Sequence, residues 1–458
     1  MVKSRYSMDM TTGKLLPKII SFTIPLMLTG FLQLVYNAAD VMVVGRFAGS
    51  VSLAAVGATS SLVHLSLNIF LGLATGSGVV AAKYIGAGDT AAVHRTVHTS
   101  MLLAVVSGTA IALLGFGLSP LALKAMSIPD DVFPLSVTYL RIFFLGAPAS
   151  MVYNFGAAML RATGDSKRPL YILTLTGIVN VVLNLIFVII FKMNVAGVAL
   201  ATIISQLLSA VFVLYILMNA NSEVRFWINK LRFYKTELLE IIRIGIPMGI
   251  QASFFSLSNV IIQSSINSFG AAAIAGNTAS SNIDSVIHIC CNSVSQTATT
   301  FTSQNYGAGQ IRRIRRIYFN CIGFTVVIAA ICCTFLLTFG TQVLGIFSTD
   351  PAVIEMGLVR MRLFAITYVL NSILDVTTGQ MRGLGKSVIP MVVTMAGVCG
   401  LRIVWVFTVF RIYRSMEILY LSYPVSWAVT GAVLLVMYII TFRKILKRSA
   451  ENEVTCTG

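Results

Sequence analysis

Six stretches of this chain run without one charged side chain: Arg46 to Lys83, Arg95 to Lys124, Arg168 to Lys192, Arg243 to Asp284, Arg316 to Asp350 and Glu417 to Arg443. Each exceeds the roughly 20 apolar residues that cross the hydrocarbon core of a bilayer at 1.5 Å per residue. A soluble fold could not hide so much apolar surface, since 57% of the chain is hydrophobic and only 11% is charged. The chain reads as an all-α polytopic membrane protein.

Twelve transmembrane helices are predicted, at 17–45, 52–80, 95–119, 132–160, 169–191, 196–218, 239–267, 273–301, 316–340, 354–381, 388–410 and 416–441. The loops on one side carry 23 Lys and Arg: Lys3, Arg5, Lys14, Lys18, Lys83, Arg95, Arg161, Lys167, Arg168, Arg225, Lys230, Arg232, Lys235, Arg312, Arg313, Arg315, Arg316, Arg382, Lys386, Arg443, Lys444, Lys447 and Arg448. The other side carries five: Arg46, Lys124, Lys192, Arg411 and Arg414. Positive charge accumulates on the inner side, so both termini are expected in the cytoplasm of a cell-membrane protein. This topology also accounts for the net charge of +17, and no aromatic interleaving points to nucleic acid. Six of the seven cysteines lie in apolar segments, with Cys456 the exception, and no CxxC pair occurs; they are expected to pack rather than bind metal. The polar N-terminus shows no cleavable signal, so the first span is expected to direct its own insertion.

The chain repeats. "IPLMLTGF" at 24–31 answers "IPMGIQAS" at 246–253, "KYIGAGDTAAVHR" at 83–95 answers "QNYGAGQIRRIRR" at 304–316, and "RATGDSKRP" at 161–169 answers "RGLGKSVIP" at 382–390. Arg141 answers Arg362, and the offset stays between 220 and 222. Six spans separate the two starts, so both halves enter the membrane from the same side. The expected architecture is two six-helix lobes, 15–218 and 237–441, related as a parallel duplication about a pseudo-two-fold axis along the membrane normal. Residues 219–236 form the linker, whose Phe226, Trp227, Leu231 and Phe233 suggest an amphipathic helix on the inner leaflet, and 442–458 form a tail.

Of 16 acids, only Asp40, Asp284 and Asp375 fall well inside spans. An acid at the bilayer centre costs about 2.5–3.5 kcal/mol on insertion scales and is functional by default. Tyr36 stands one turn before Asp40 with Asn37 beside it, and Gln33 and Phe47 extend the stripe. Asn180 and Asn184 share a face of the fifth span, and Thr202 and Asn154 add further oxygens. Such a set could hold a hard monovalent cation, or equally a proton, because burial disfavours the charged carboxylate. The competing reading is a polar network that joins helices. Asp375 occupies the repeat position of Asn154, with Asn371 one turn behind. Asp284 matches His64, and His288, one turn on, is a candidate partner for it. His94 and His98 have helical spacing but no third ligand, so no metal site is assigned. Pro25 and Pro247 each remove a helical hydrogen bond and permit a kink. Nineteen methionines suit a promiscuous apolar cavity. "GSGVVAAKYIGAG" at 76–88 has no GK[ST] ending, so no ATP site is read and no cofactor is expected beyond a coupling ion.

Across 15–441, "YNAADVMVVGRFAG", "KYIGAGD", "LRATGDSKRP", "MRGLGKS" and the paired "IP" motifs resemble the MATE (multidrug and toxic compound extrusion) family. The resemblance implies two six-helix lobes, a V-shaped opening, alternating access and export of cationic or amphipathic small molecules in exchange for H+ or Na+. The expected partners are membrane lipid and small-molecule substrates, and a monomer is expected. It makes Asp40 the coupling residue, with Asn180, Asn184, Thr202 and Tyr36 as partners. Some members carry a second acid where this chain has Asn184. In a branch resembling the sodium-coupled NorM transporters, a seventh-span Glu works with the acid matching Asp375; here that position reads Ser256, and the expected Tyr is Asn371. Coupling is therefore expected in the first lobe, with Gln33, Asn37, Asn154, Ser256, Asn371 and Asp375 lining the substrate path.

Three other readings compete. A lipid-linked precursor flippase of the same superfamily would carry a strongly basic cavity, whereas here Arg402 is the main deep cation. An ion channel would want a filter-like carbonyl run. A membrane enzyme would want a nucleophile–base or metal constellation, and none is present.

Overall fold

The computed structural model describes residues 7–126, 128–220 and 223–457, with side chains to Lys447 and at Glu451. Lys3, Arg5 and the side chains of Arg448, Glu453 and Cys456 lie outside the described residues. Every regular element among the described residues is helical. Twelve segments follow in order: α1 Leu15–Ala48, α2 Ser50–Ala87, α3 Thr90–Ala125, α4 Phe133–Leu145 with Ala147–Ala162, α5 Lys167–Ile190 and α6 Asn194–Met218. The second half repeats the pattern with α7 Lys235–Asn267, α8 Ala271–Gly307, α9 Ile311–Gly345, α10 Pro351–Gly383, α11 Val388–Ile412 and α12 Met416–Lys447. They take the twelve expected places, and most run past the expected ends. The helix of α12 continues through the expected tail to Thr457. The two parts of α4 meet at Gly146 with a bend of 45°.

All of these except α8 and α10 are apolar enough to span by composition alone. At 37 and 33 residues α8 and α10 are long enough. Their polar side chains bond across the α8–α10 interface instead of facing lipid. Ser295 donates to the Asp375 carbonyl at 2.6 Å, Thr299 to the Gly379 carbonyl at 3.0 Å and Thr302 to the Gln380 side chain at 2.7 Å. Small residues permit this approach: a Cβ on Gly383 would stand 2.6 Å from the Thr299 carbonyl oxygen.

The chain forms two compact units. The first holds Ile24–Gly249 with the described residues before Thr11, and the second holds Thr11–Thr23 with the chain from Ile250 onward. The boundary therefore falls inside α1 and α7, within two residues of Pro25 and Pro247, whereas the repeat boundary falls in the linker. Both helices run on through their prolines. In the first unit Met101, Leu140, Phe144, Phe155 and Met159 anchor the core. There the start of α7 is clamped by Lys83 on Glu240 at 2.5 Å and Arg95 on Glu237 at 2.6 Å. In the second unit Phe364, Tyr420, Trp427 and Leu434 anchor the core, and Arg313 donates to the carbonyls of Thr12 and Gly13 at 2.8 and 3.0 Å.

The linker corrects one expectation. Among the described residues, 219–234 form no amphipathic helix; Ile228–Lys230 makes one short helical turn, and α7 begins at Lys235. The aromatic residues dock on protein instead. Phe226 is buried with its ring 5.5 Å from that of His98, and Trp227 stacks on His98 at 6.2 Å. The Trp227 backbone N–H donates to His98 Nε2 at 3.2 Å. The histidine pair on α3 thus seats the linker, an arrangement that needs no third ligand.

Candidate functional site

Asp40 stands on the last α-helical turn of α1, before the π-helical turn Val44–Ala48. Asn180 and Asn184 stand on the same face of α5, just before a second π turn, Ile186–Ile190. The two π turns pack on one another. Such turns widen the helix and recur at functional sites. Here they bring the ends of α1 and α5 together beside the acid. The apolar side chains Val43, Val44, Val56, Val132, Val188 and Val198 cluster over this end.

The sequence-predicted residues come together in part. Asn184 donates its amide to the Asp40 carboxylate and lies 3.3 Å from the Asn180 carbonyl oxygen. The Asn184 carbonyl oxygen is itself buried without a hydrogen-bond partner. Among the described residues no basic side chain pairs with Asp40. The site therefore offers a half-buried carboxylate and an unused amide oxygen, the hard-oxygen chemistry that suits a proton or a small monovalent cation. Tyr36 lies elsewhere on the α1–α5 contact, its hydroxyl donating to the Thr174 carbonyl at 3.3 Å. Thr202 bonds to the Val198 carbonyl of its own helix at 3.0 Å. Tyr139, on the first part of α4, was missed: it packs against the valine cluster at this end. Nothing in its local sequence, "TYLRIFF", marks it.

Gly177 is the reason Tyr36 can lie flat on α5. A Cβ there would overlap the phenol ring. Gly177→Val is expected to push Tyr36 away, lower stability by about 1–3 kcal/mol as overpacking does, and weaken efflux. Thermal unfolding of the purified variant checks the first effect and dye efflux the second.

The second unit holds a different arrangement. Asp284 pairs with Arg360, whose Nε and Nη2 both reach Oδ2 at 3.0 Å. This corrects the expected His288 pairing: His288 lines the neighbouring cavity while the guanidinium takes the carboxylate. Arg360 also donates to the Asn277 carbonyl oxygen at 2.5 Å, which Tyr420 reaches at 3.0 Å. Arg402 is therefore not the only deep cation, since Arg360 and Arg402 are both buried. A cavity of about 330 Å³ is lined by Asn277, Asp284, His288, Arg360, Asn371 and Arg402 among others.

The residues assigned to the substrate path are divided between the two units. In the first, Gln33 and Asn37 are exposed on α1, and Asn154 donates to the Ser150 carbonyl at 2.8 Å. In the second, Asn371 lines the cavity and donates to Asp375 at 3.1 Å, while Ser256 donates to the Ala252 carbonyl of its own helix at 3.3 Å.

Twelve long helices, most of them apolar enough to cross a bilayer and arranged in two halves that each match one transporter family model, define a multi-pass membrane transporter. The MatE family model matches residues 25–186 and again 247–408, and the chain belongs to that family. It is 28% identical over 377 residues to the probable multidrug resistance protein YpnP of Bacillus subtilis, covering 82% of this chain and 84% of that one. It is 26% identical to the probable multidrug resistance protein YoeA of the same organism, covering 92% and 93%. Among solved structures, an outward-facing multidrug resistance MATE transporter superposes with a TM-score of 0.90 at 21% identity, covering 97% of this chain and all of the other.

Proposed function

We propose that the protein is an ion-coupled antiporter that exports cationic or amphipathic small molecules by alternating access. It would sit in the cell membrane with both termini in the cytoplasm, as the 23 to 5 distribution of Lys and Arg favours. The observation that carries the reading is the half-buried Asp40 carboxylate, bonded to Asn184 and without a basic partner among the described residues. A carboxylate held in that way has capacity for an entering H+ or Na+. The relatives named as multidrug resistance proteins support the substrate class.

The mechanism follows from the charge. In the outward-open state Asp40 takes up H+ or Na+ and no longer attracts a cationic substrate, which leaves. Loading also changes the bond between α1 and α5, and Pro25 lets α1 change its path without breaking a backbone hydrogen bond it already lacks. The ion can drive the cycle only through its different affinity for the two states.

Ethidium efflux from loaded vesicles, with pH and Na+ gradients imposed separately, tests this. One of the two gradients is expected to accelerate efflux by about tenfold or more over equal-ion controls. Efflux indifferent to both would remove ion coupling from the reading.

A further inference from the structure

The cavity of the second unit is built for a negative group. Its acid is already used, because Asp284 is held by Arg360. Asp375 stands one turn beyond Asn371 and is bonded to it. Arg402 has no carboxylate. It is 3% exposed, and among the described residues its guanidinium meets only neutral groups: Nε donates to Ser426 at 3.0 Å, and the carbon lies 3.9 Å from the Tyr423 ring centroid and 5.7 Å from that of Trp427. A guanidinium buried without an anion is costly, and aromatic faces offset only part of that cost. Arg402 is among the residues that line the cavity.

The repeat makes the contrast sharper. The family match sets 25–186 against 247–408, an offset of 222. Earlier in the same helix the offset is 221, from Pro169 to Pro390, and the π turn Met395–Gly400 supplies the extra residue. At 222, Arg402 stands where the first unit has Asn180, and Ile262 where it has Asp40. Both Ile262 and Arg402 line the cavity. The position that carries a carboxylate and an amide in one unit carries an aliphatic chain and a guanidinium in the other.

We propose that this cavity binds an aromatic anion, a planar ring bearing a carboxylate or phosphate, with the anion on Arg402 and the ring against Phe364, Tyr423 and Trp427. These three rings already pack together, Phe364 and Tyr423 each edge-to-face on Trp427 at 5.4 and 5.8 Å. The guanidinium supplies a forked donor pair suited to both oxyanions. The site goes beyond the Asp40 reading and does not depend on it.

Calorimetric titration of the purified full-length protein tests the assignment with three probes that share a naphthyl ring: 1-naphthyl phosphate, 1-naphthoate and 1-naphthylmethylammonium. The phosphate and carboxylate are expected to bind about tenfold or more tighter than the ammonium, the worth of one charge-assisted contact. Arg402→Gln, which can keep a bond to Ser426, is expected to erase that preference, and Arg402→Lys to keep part of it. Inorganic phosphate and phosphatidylglycerol, which lack the ring, are expected to compete weakly. Tighter binding of the ammonium by the wild-type protein, an unchanged preference in Arg402→Gln, or full competition by the lipid would overturn the proposal. The wild-type order of the probes decides even if Arg402→Gln does not fold. Ethidium efflux reports separately on Asp40, so either reading can fail while the other stands.

Discussion

Asp40→Asn is expected to abolish gradient-driven efflux while leaving the protein folded. The substitution conserves size, and the new amide oxygen still accepts from Asn184 Nδ2, so the α1–α5 bond survives. What disappears is the charge. Without it the site has little differential affinity for H+ or Na+ between the two states, and an ion without differential affinity cannot shift the equilibrium. Efflux from vesicles should fall by about tenfold or more, to the rate of protein-free controls. Thermal unfolding should be close to that of the wild type, and ethidium binding should persist at the neutral site or weaken modestly. Efflux within about twofold of the wild type would show that Asp40 serves as a helix joint and that the coupling charge lies elsewhere.

The second large effect is expected at the ion pair of the other unit. Arg360→Met leaves Asp284 buried without a cation and also withdraws the donor that meets the Asn277 carbonyl at 2.5 Å. Breaking a buried pair from one side costs about 3–5 kcal/mol, most of it the stranded charge. The variant should unfold well below the wild type in detergent, followed by tryptophan fluorescence of Trp427 beside Phe364. The double variant Asp284→Leu with Arg360→Met should recover most of that loss, since apolar replacement of both partners removes the desolvation penalty together with the attraction. A single variant as stable as the wild type would mean that the pair contributes nothing, and that Asp284 accepts a proton freely.

Much of this was legible from residues alone. The charge-free runs set the class, because a bilayer accepts only segments that satisfy their own backbone, and the alternation of charged loops supported the count of twelve. The two polar helices were legible too, since 273–301 and 354–381 share the repeat with apolar counterparts even though their composition falls short. Spacing put Asn180 and Asn184 on one face, and the structure carries that face to Asp40. Where spacing was the only guide, it misled. His288 is one helical turn from Asp284, yet the carboxylate is taken by Arg360, 76 residues away. The linker has the apolar pattern of a surface helix, yet Phe226 and Trp227 found a protein surface in His94 and His98 before they could meet lipid.

The sequence by itself determined the class, the duplication and the cost of Asp40, because each depends on the period and polarity of a single segment. Only the tertiary structure decided which charges are spent on each other and which are left over. Asp284 and Arg360 cancel, Asp40 faces neutral amides, and Arg402 faces rings. Side chains on different helices compete for the same partner across a few ångströms, and the outcome is set by which helix faces touch.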